Sequence, residues 1–323
     1  AVLPASIEKL ILLPSGGLFL LPLHAAPLVG NSSDPICDRY EVSYAPSVEV
    51  LADCQARAAT RGERSLYEVI NPEEDPKLAF TKVEGESIAA LFDQPKIDEG
   101  KNGTKDAVTA GVRDRAYLHF ACHGSYNWGD PPQSGLALAD GSLTLDELQT
   151  RKVDMSAARL VTLSACETGL TDIVQGSAEE YVGSPAGFLL AGAPSVVSSL
   201  WAVDDLSTAL LMTQFYYNHL KRGFGTSQAL RAAQRWLRHE VDCLTAIEHI
   251  IPLLGELEAQ HENLPAESEA AKALGQRIQE IKERRDALLR REALDPGGRP
   301  FDHPYYWAAF TVWGPNVDVN DHG

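Results

Sequence analysis

Positive charge is scarce in this chain: 28 Lys and Arg stand against 45 Asp and Glu in 323 residues, a net charge of −17 with a pI near 4.9. Nucleic-acid binding needs clustered Lys and Arg to neutralise phosphates, so the acidic balance argues against that class. The acid surplus keeps the chain soluble and attracts basic substrates or partners at long range. Long apolar runs are missing too. Residues 187–203, GFLLAGAPSVVSSLWAV, come closest to a membrane span, and Pro194 with the serines splits them into a helix end and a strand. The apolar N-terminal region is broken by Pro14, Gly16, Gly17 and Pro22 and lacks a basic segment, which excludes a signal peptide. Cysteines are few. Five of them, odd in number and without CxxC spacing, suit the reduced thiols of a cytoplasm better than a disulfide framework. Neither G-x-x-x-x-G-K-[ST] nor G-x-G-x-x-G occurs, so no nucleotide cofactor is implied. The chain does not open with Met and enters an apolar strand almost at once, which predicts a domain cut from a longer protein.

What is present is an ordinary α/β pattern. The opening, EKLILLPSGGLFLLPLHAA, reads as two apolar strands around a Pro-Ser-Gly-Gly turn. RYEVSYAP adds a strand and SVEVLADCQARAA a short helix, and residues 1–64 form an N-terminal lobe. From 65 to 240 the rhythm is regular. Strands LYEVI, YLHFA and RLVTLSA are apolar along their length, and they alternate with helices at 84–92, 183–192, 206–221 and 226–240. Such strands predict a mainly parallel sheet with helices on both faces. A final aromatic strand is expected at 305–313, within the closing segment 301–323. Residues 241–300 interrupt the pattern. Leu244, Ile247, Ile251, Leu254 and Leu257 make one apolar stripe, kinked or broken near Pro252, and Leu274, Ile278, Ile281 and Leu288 make a second. With a turn near Asn263–Pro265, the segment predicts an inserted helical hairpin, either packed on itself or docking a partner.

Open parallel sheets place reactive groups beyond the carboxyl ends of their strands. YLHFACHG leaves His123 and Gly124 just past one strand end, and RLVTLSACETG leaves Cys166 in the equivalent place, with a turn at Gly169. A thiol is the strongest nucleophile available near neutral pH when an imidazole takes its proton. The spacing resembles the caspase arrangement, in which a His precedes the Cys by about 50 residues. Gly124, lacking a Cβ, lets the backbone approach a substrate carbonyl as an oxyanion donor. Cys122 adjoins His123, but alternation along the strand turns it to the opposite face, where it packs. A zinc site from Cys122, His123 and Cys166 lacks a fourth ligand and regular spacing.

HFACHG and LSACETG, followed by AGAPSVVSSLWAVDD, ALRAAQRWLR and HPYYWAAFTVWG, resemble the CHAT domain, caspase-like domains that commonly follow tetratricopeptide repeats and are relatives of caspases and separase. LILLPSGGLFLLPL and YAPS extend the resemblance to nearly the whole chain, with 241–300 outside it. The family implies a caspase–haemoglobinase fold and a His123/Cys166 dyad, with the N–H groups of Gly124 and Cys166 as oxyanion donors. It implies no third residue orienting the His, and nothing in the sequence supplies an obvious one. Ser164 lies where relatives line the primary specificity pocket. SLWAVDD resembles the loop beside that pocket, where caspases carry Arg and cut after Asp while separase carries acids and cuts after Arg. Asp204 and Asp205 therefore imply a preference for Arg or Lys, unless they cap the helix that follows. The loop 171–183 lies where caspases carry their processing linker.

Two functions compete. One is a cysteine endopeptidase acting on a protein substrate and held in check by an attached repeat, sensor region or partner; members of the family are found beside bacterial defence systems. The other is a catalytically silent scaffold in which 241–300 recruits a partner. The intact dyad favours the enzyme.

Overall fold

The computed structural model describes residues 6–28, 34–58, 64–125, 127, 129–150, 152–164, 166–167 and 184–318. Its main sheet has eight strands: β1 (Lys9–Leu12), β2 (Glu41–Tyr44), β3 (Leu66–Ile70), β4 (Lys96–Glu99), β5 (Tyr117–Ala121), β9 (Leu160–Leu163), β11 (Val196–Ser199) and β12 (Phe310–Trp313). Four short strands form a second sheet: β6 (His123–Ser125), β7 (Gly135–Leu138), β8 (Gly141–Thr144) and β10 (Cys166–Glu167). The helices are α1 (Ile36–Arg39), α2 (Val48–Ala58), α3 (Thr81–Ala89), α4 (Lys105–Gly111), α5 (Leu145–Gln149), α6 (Ser184–Leu190), α7 (Asp205–Leu220), α8 (Thr226–His239), α9 (Cys243–Glu262), α10 (Glu269–Leu294) and α11 (Pro304–Trp307). None of the described helices is long and apolar enough to cross a membrane.

The main sheet runs in the order β1-β2-β12-β11-β9-β5-β3-β4, and every pairing is parallel except β11 with β12. It is the mainly parallel α/β sheet expected. Its strands are apolar throughout because both faces are covered. Leu66, Tyr117, Leu160 and Val197 join the core beneath α7, α8, α9 and α10. Tyr67, Leu118, Phe120, Val161 and Val196 join the other core, with Val108, Leu148, Phe188 and Leu189 from α4, α5 and α6.

One expected strand is absent and another is shortened. The second apolar run of the opening forms 3₁₀ turns, Gly16–Leu20 and Leu23–Ala25, and not a hairpin partner for β1. Pro22 has no N–H to give a ladder, β1 pairs with β2 instead, and Phe19 stacks on Trp313 at 5.8 Å. The closing aromatic run divides into α11 and β12. Pro304 at the first helical position and His303, whose side chain accepts the Tyr305 N–H at 3.2 Å, start a helical turn there.

The inserted hairpin is present, as α9 and α10, and it is docked on the core. Leu253, Leu254, Leu257, Ile278, Ile281 and Leu288 are buried in one cluster with α3 and α7, and each such side chain stabilises by roughly 1.5–3 kcal/mol. The two helices pack on each other and on the core together. Pro252 neither breaks nor ends α9; it sits on the exposed side, next to the buried Leu253 and Leu254.

Candidate active site

β5 and β9 are direct neighbours, so their carboxyl ends deliver the next residues side by side. The chain turns out of the main sheet beyond each and forms β6 and β10. These two pair in parallel with Cys166 in register with His123 and Glu167 with Gly124. Paired strands lie about 4.8 Å apart, which sets the backbone of Cys166 next to that of His123. The second sheet that holds them was not expected. Its hairpin, β7 with β8, closes on an Ala-Asp-Gly turn in which Gly141 has φ 132°, and β6 pairs antiparallel with β7, Gly124 opposite Leu136. The turn at Gly169 and the loop 171–183 lie outside the described residues.

His123 has a partner that the dyad expectation did not include. Its Nε2 lies 2.7 Å from Asp75 Oδ2, with the two side chains 28% and 27% exposed. Ionised carboxylates only accept, so the imidazole donates from Nε2 and a neutral ring keeps its lone pair on Nδ1. Asp75 is held closely. Asn71 accepts the Asp75 N–H at 2.8 Å and donates to the Asp75 carbonyl at 2.9 Å, while Asp75 Oδ1 accepts the Lys77 N–H at 2.9 Å. The turn places Asn71 at φ 41° and Glu74 at φ 56°, left-handed conformations that Asn tolerates best among non-glycine residues. Burial alone would raise the Asp75 carboxyl. The Lys77 N–H, the bond to and charge of His123, and the Lys77 ammonium hold it below the usual carboxylate range. A signal existed in NPEEDP, an acidic loop after the strand next to β5. Sequence alone could not choose among Glu73, Glu74 and Asp75.

Ser164, at the end of β9, is 5% exposed, and its Oγ has no hydrogen-bond partner. It stands two positions before Cys166. Asp204 and Asp205 both have partners inside the chain. Asp204 is the N-cap of α7, accepting the Ser207 N–H at 2.9 Å, and its carboxylate also takes the Arg284 guanidinium of α10. The capping role left open by the sequence is thus filled. Asp205 accepts the Phe80 N–H at 2.7 Å, and burial pushes its carboxyl up to about 7, against the Phe80 N–H. Cys122 is 1% exposed and packs in the core opposite α7. Among the described residues no cluster of His, Cys, Asp or Glu could hold a metal ion.

A buried analogue of the His123–Asp75 pair lies deeper. Glu68, His119 and Thr162 stand in register across β3, β5 and β9. His119 Nε2 is 3.0 Å from Glu84 Oε1 of α3, with both side chains fully buried. The approach is close but not aligned as a hydrogen bond, and both Glu84 oxygens lack one. Burial, then the charge of Glu84, raises the Glu68 carboxyl to about 9.

Several solved structures match this chain at low identity. The separase–securin complex of Saccharomyces cerevisiae matches with a TM-score of 0.49 at 16% identity, covering 69% of this chain and 14% of that one. The complex of Porphyromonas gingivalis RgpB pro- and mature domains matches with a TM-score of 0.49 at 9% identity, over 97% of this chain and 65% of that one. The Arg-specific cysteine proteinase gingipain R matches with a TM-score of 0.44 at 12% identity, covering 64% and 52%. The chain therefore spans only a small part of the separase chain it matches. Among curated proteins none matches the sequence. The sequence pattern itself is matched over residues 1–315, and the chain belongs to the CHAT domain family.

Proposed function

We propose that this chain is a cysteine endopeptidase domain in which Cys166 is the nucleophile, His123 the general base and acid, and Asp75 the residue that orients His123. The observation that carries this reading is the conjunction at the sheet edge: Cys166 paired in register with His123, and His123 bonded through Nε2 to Asp75 at 2.7 Å. An imidazole held by Nε2 offers Nδ1 to the thiol, and the carboxylate stabilises the imidazolium that forms. The thiolate sulfur bonds to the substrate carbonyl carbon, and the oxyanion develops beside the backbone of Gly124 and Cys166, where the family resemblance puts its donors. The C–N bond then breaks, with the proton on His123 passing to the leaving amine. Water, deprotonated by His123, hydrolyses the thioester and returns the thiol.

Protein substrates and control by an attached repeat, sensor region or partner belong to the same proposal. Preference for Arg or Lys before the scissile bond has weaker support, because Arg284 already neutralises Asp204 and Asp205 is turned to Phe80. Ser164, buried and unpartnered, is the better candidate pocket residue. Mapping of new protein termini tests the reading. Termini produced by the wild type and lost with both Cys166→Ala and His123→Ala are expected, and the residue preceding them gives the specificity. Equal behaviour of all three proteins would leave the scaffold reading in its place.

A further inference from the structure

The loop that presents Asp75 is braced within itself by the Asn71–Asp75 bonds and anchored to the rest of the chain at its two ends. At its start the Asn71 N–H donates to the Ala121 carbonyl at 2.8 Å, tying it to the strand that leads to His123. In its middle Glu73, Glu74, Pro76 and Lys77 are exposed. Its far end, Leu78–Phe80, is buried. That end is gripped by the inserted hairpin of α9 and α10. Arg277 of α10 donates to the Ala79 carbonyl at 3.1 Å. Arg284, two turns further along α10, lies over the Phe80 ring at 5.7 Å and holds Asp204. Next to Asp204, Asp205 accepts the Phe80 N–H. On the other arm, Glu256 of α9 pairs with Lys82 at 2.6 Å, just past the loop. Charge-assisted bonds of this kind are stronger than neutral ones and fix direction as well as distance.

We propose that Arg277 and Arg284 of the hairpin are positioning residues for the His123–Asp75 pair, acting through the loop 71–80; the inference rests on that pair being catalytic. A small shift of the loop end would move Asp75 Oδ2 away from Nε2, and a shift of an ångström in a catalytic contact is costly. The hairpin is then part of the machinery that sets His123.

Alkylation of Cys166 by iodoacetamide, followed by mass spectrometry from about pH 5 to pH 9, reads the thiol–imidazole pair without requiring peptidase activity. Cys37, Cys54, Cys122 and Cys243 are buried, so the signal comes from the site. Loss of Asp75 weakens the imidazolium, so Asp75→Asn is expected to slow alkylation at neutral pH and move its profile to higher pH. Arg284→Ala and Arg277→Gln are expected to do the same to a smaller degree, slowing it roughly 3- to 10-fold. Arg284→Lys recovers part of the loss, and Leu289→Ser, at an exposed position on the same helix, causes none. Thermal unfolding run alongside confirms that each variant is folded. Should Arg284→Ala not fold, Arg277→Gln, which removes one hydrogen bond, decides alone. Wild-type profiles for the arginine variants beside a shifted Asp75→Asn would overturn the positioning role and leave the catalytic pair standing. A wild-type profile for Asp75→Asn as well would remove the catalytic pair, and the positioning role with it.

Discussion

His119 and His123 lie on one run of sequence, HFACHG, and each meets a carboxylate at hydrogen-bonding range, yet the two pairs do opposite things. His119 meets Glu84 at 3.0 Å with both side chains fully buried; His123 meets Asp75 at 2.7 Å at the edge of the sheet, where each stays about a quarter exposed. Position along the strand makes the difference. His119 is mid-strand and faces α7, where its ring meets Tyr216 edge-on at 5.6 Å. His123 lies past the end of β5, where the chain has left the main sheet and the carboxyl ends of the strands open to solvent. A buried pair must stay paired to offset its desolvation. An edge pair can exchange protons with a substrate. Residues of the same type are therefore packed away from solvent in one place and reach it at the edge of the sheet in the other.

Substitutions at the two histidines test this most strongly. His123→Ala is expected to lower kcat/KM by about 10³-fold or more while leaving urea unfolding close to wild type. His119→Ala should do the reverse, costing about 3 kcal/mol in urea unfolding through a cavity and a buried carboxylate left without its partner. The folded fraction of His119→Ala is expected to keep its specific activity. Comparable activity losses for the two would break the distinction.

Asp75→Asn sharpens it at the carboxylate. A fall of about 10- to 100-fold in kcat with KM little changed is expected, because the amide keeps the size but not the charge that stabilises the imidazolium. Single-turnover kinetics separate this from slower product release.

The smallest effects concern pH, and there the carboxylates of the two regions run in opposite directions. Asp75 is held below its ordinary range, so its contribution is full near neutral pH and is lost as acid protonates it. Glu68, beside the buried pair, keeps its proton to about 9 when folded but ionises near 4.5 when unfolded. The unfolded chain then binds fewer protons, and stability falls as pH rises across that window. Glu68→Gln is expected to flatten this alkaline decline, and Asp75→Asn the acid one. Urea midpoints measured near pH 3, at pH 5 and near pH 8.5 would show both. A Glu68→Gln variant with the wild-type slope would mean that the carboxyl is ionised in the fold.

Much of the architecture was legible because it is periodic. Apolar strands alternating with amphipathic helices imply a covered parallel sheet, and the two stripes across 241–300 imply a helical hairpin, as found in α9 and α10. Errors fell where local pattern and tertiary pairing disagree. Residues 18–23 are apolar enough for a strand but have no strand to pair with, and Pro304 turned half of an aromatic run into a helix. The small sheet carrying β6 and β10 was hidden because its strands are two to four residues long, too short for any period to register.

At the candidate site, His123 and Cys166 could be named from sequence because each follows an apolar strand and carries chemistry that such a position exposes. Asp75 could not, since a side chain's partner across the loop ends of neighbouring strands depends on backbone turns set by Asn71 and Glu74. Nor could the fate of Asp204, where cap and pocket were equally open until Arg284, far along the chain, was brought onto it by the docking of α10. Residue type and period, both local, determined the sheet, the hairpin and the two candidate reactive groups. Contacts between distant segments, which no local pattern encodes, decided that Asp75 is the carboxylate bonded to His123 and that Arg277 and Arg284 contact the end of its loop.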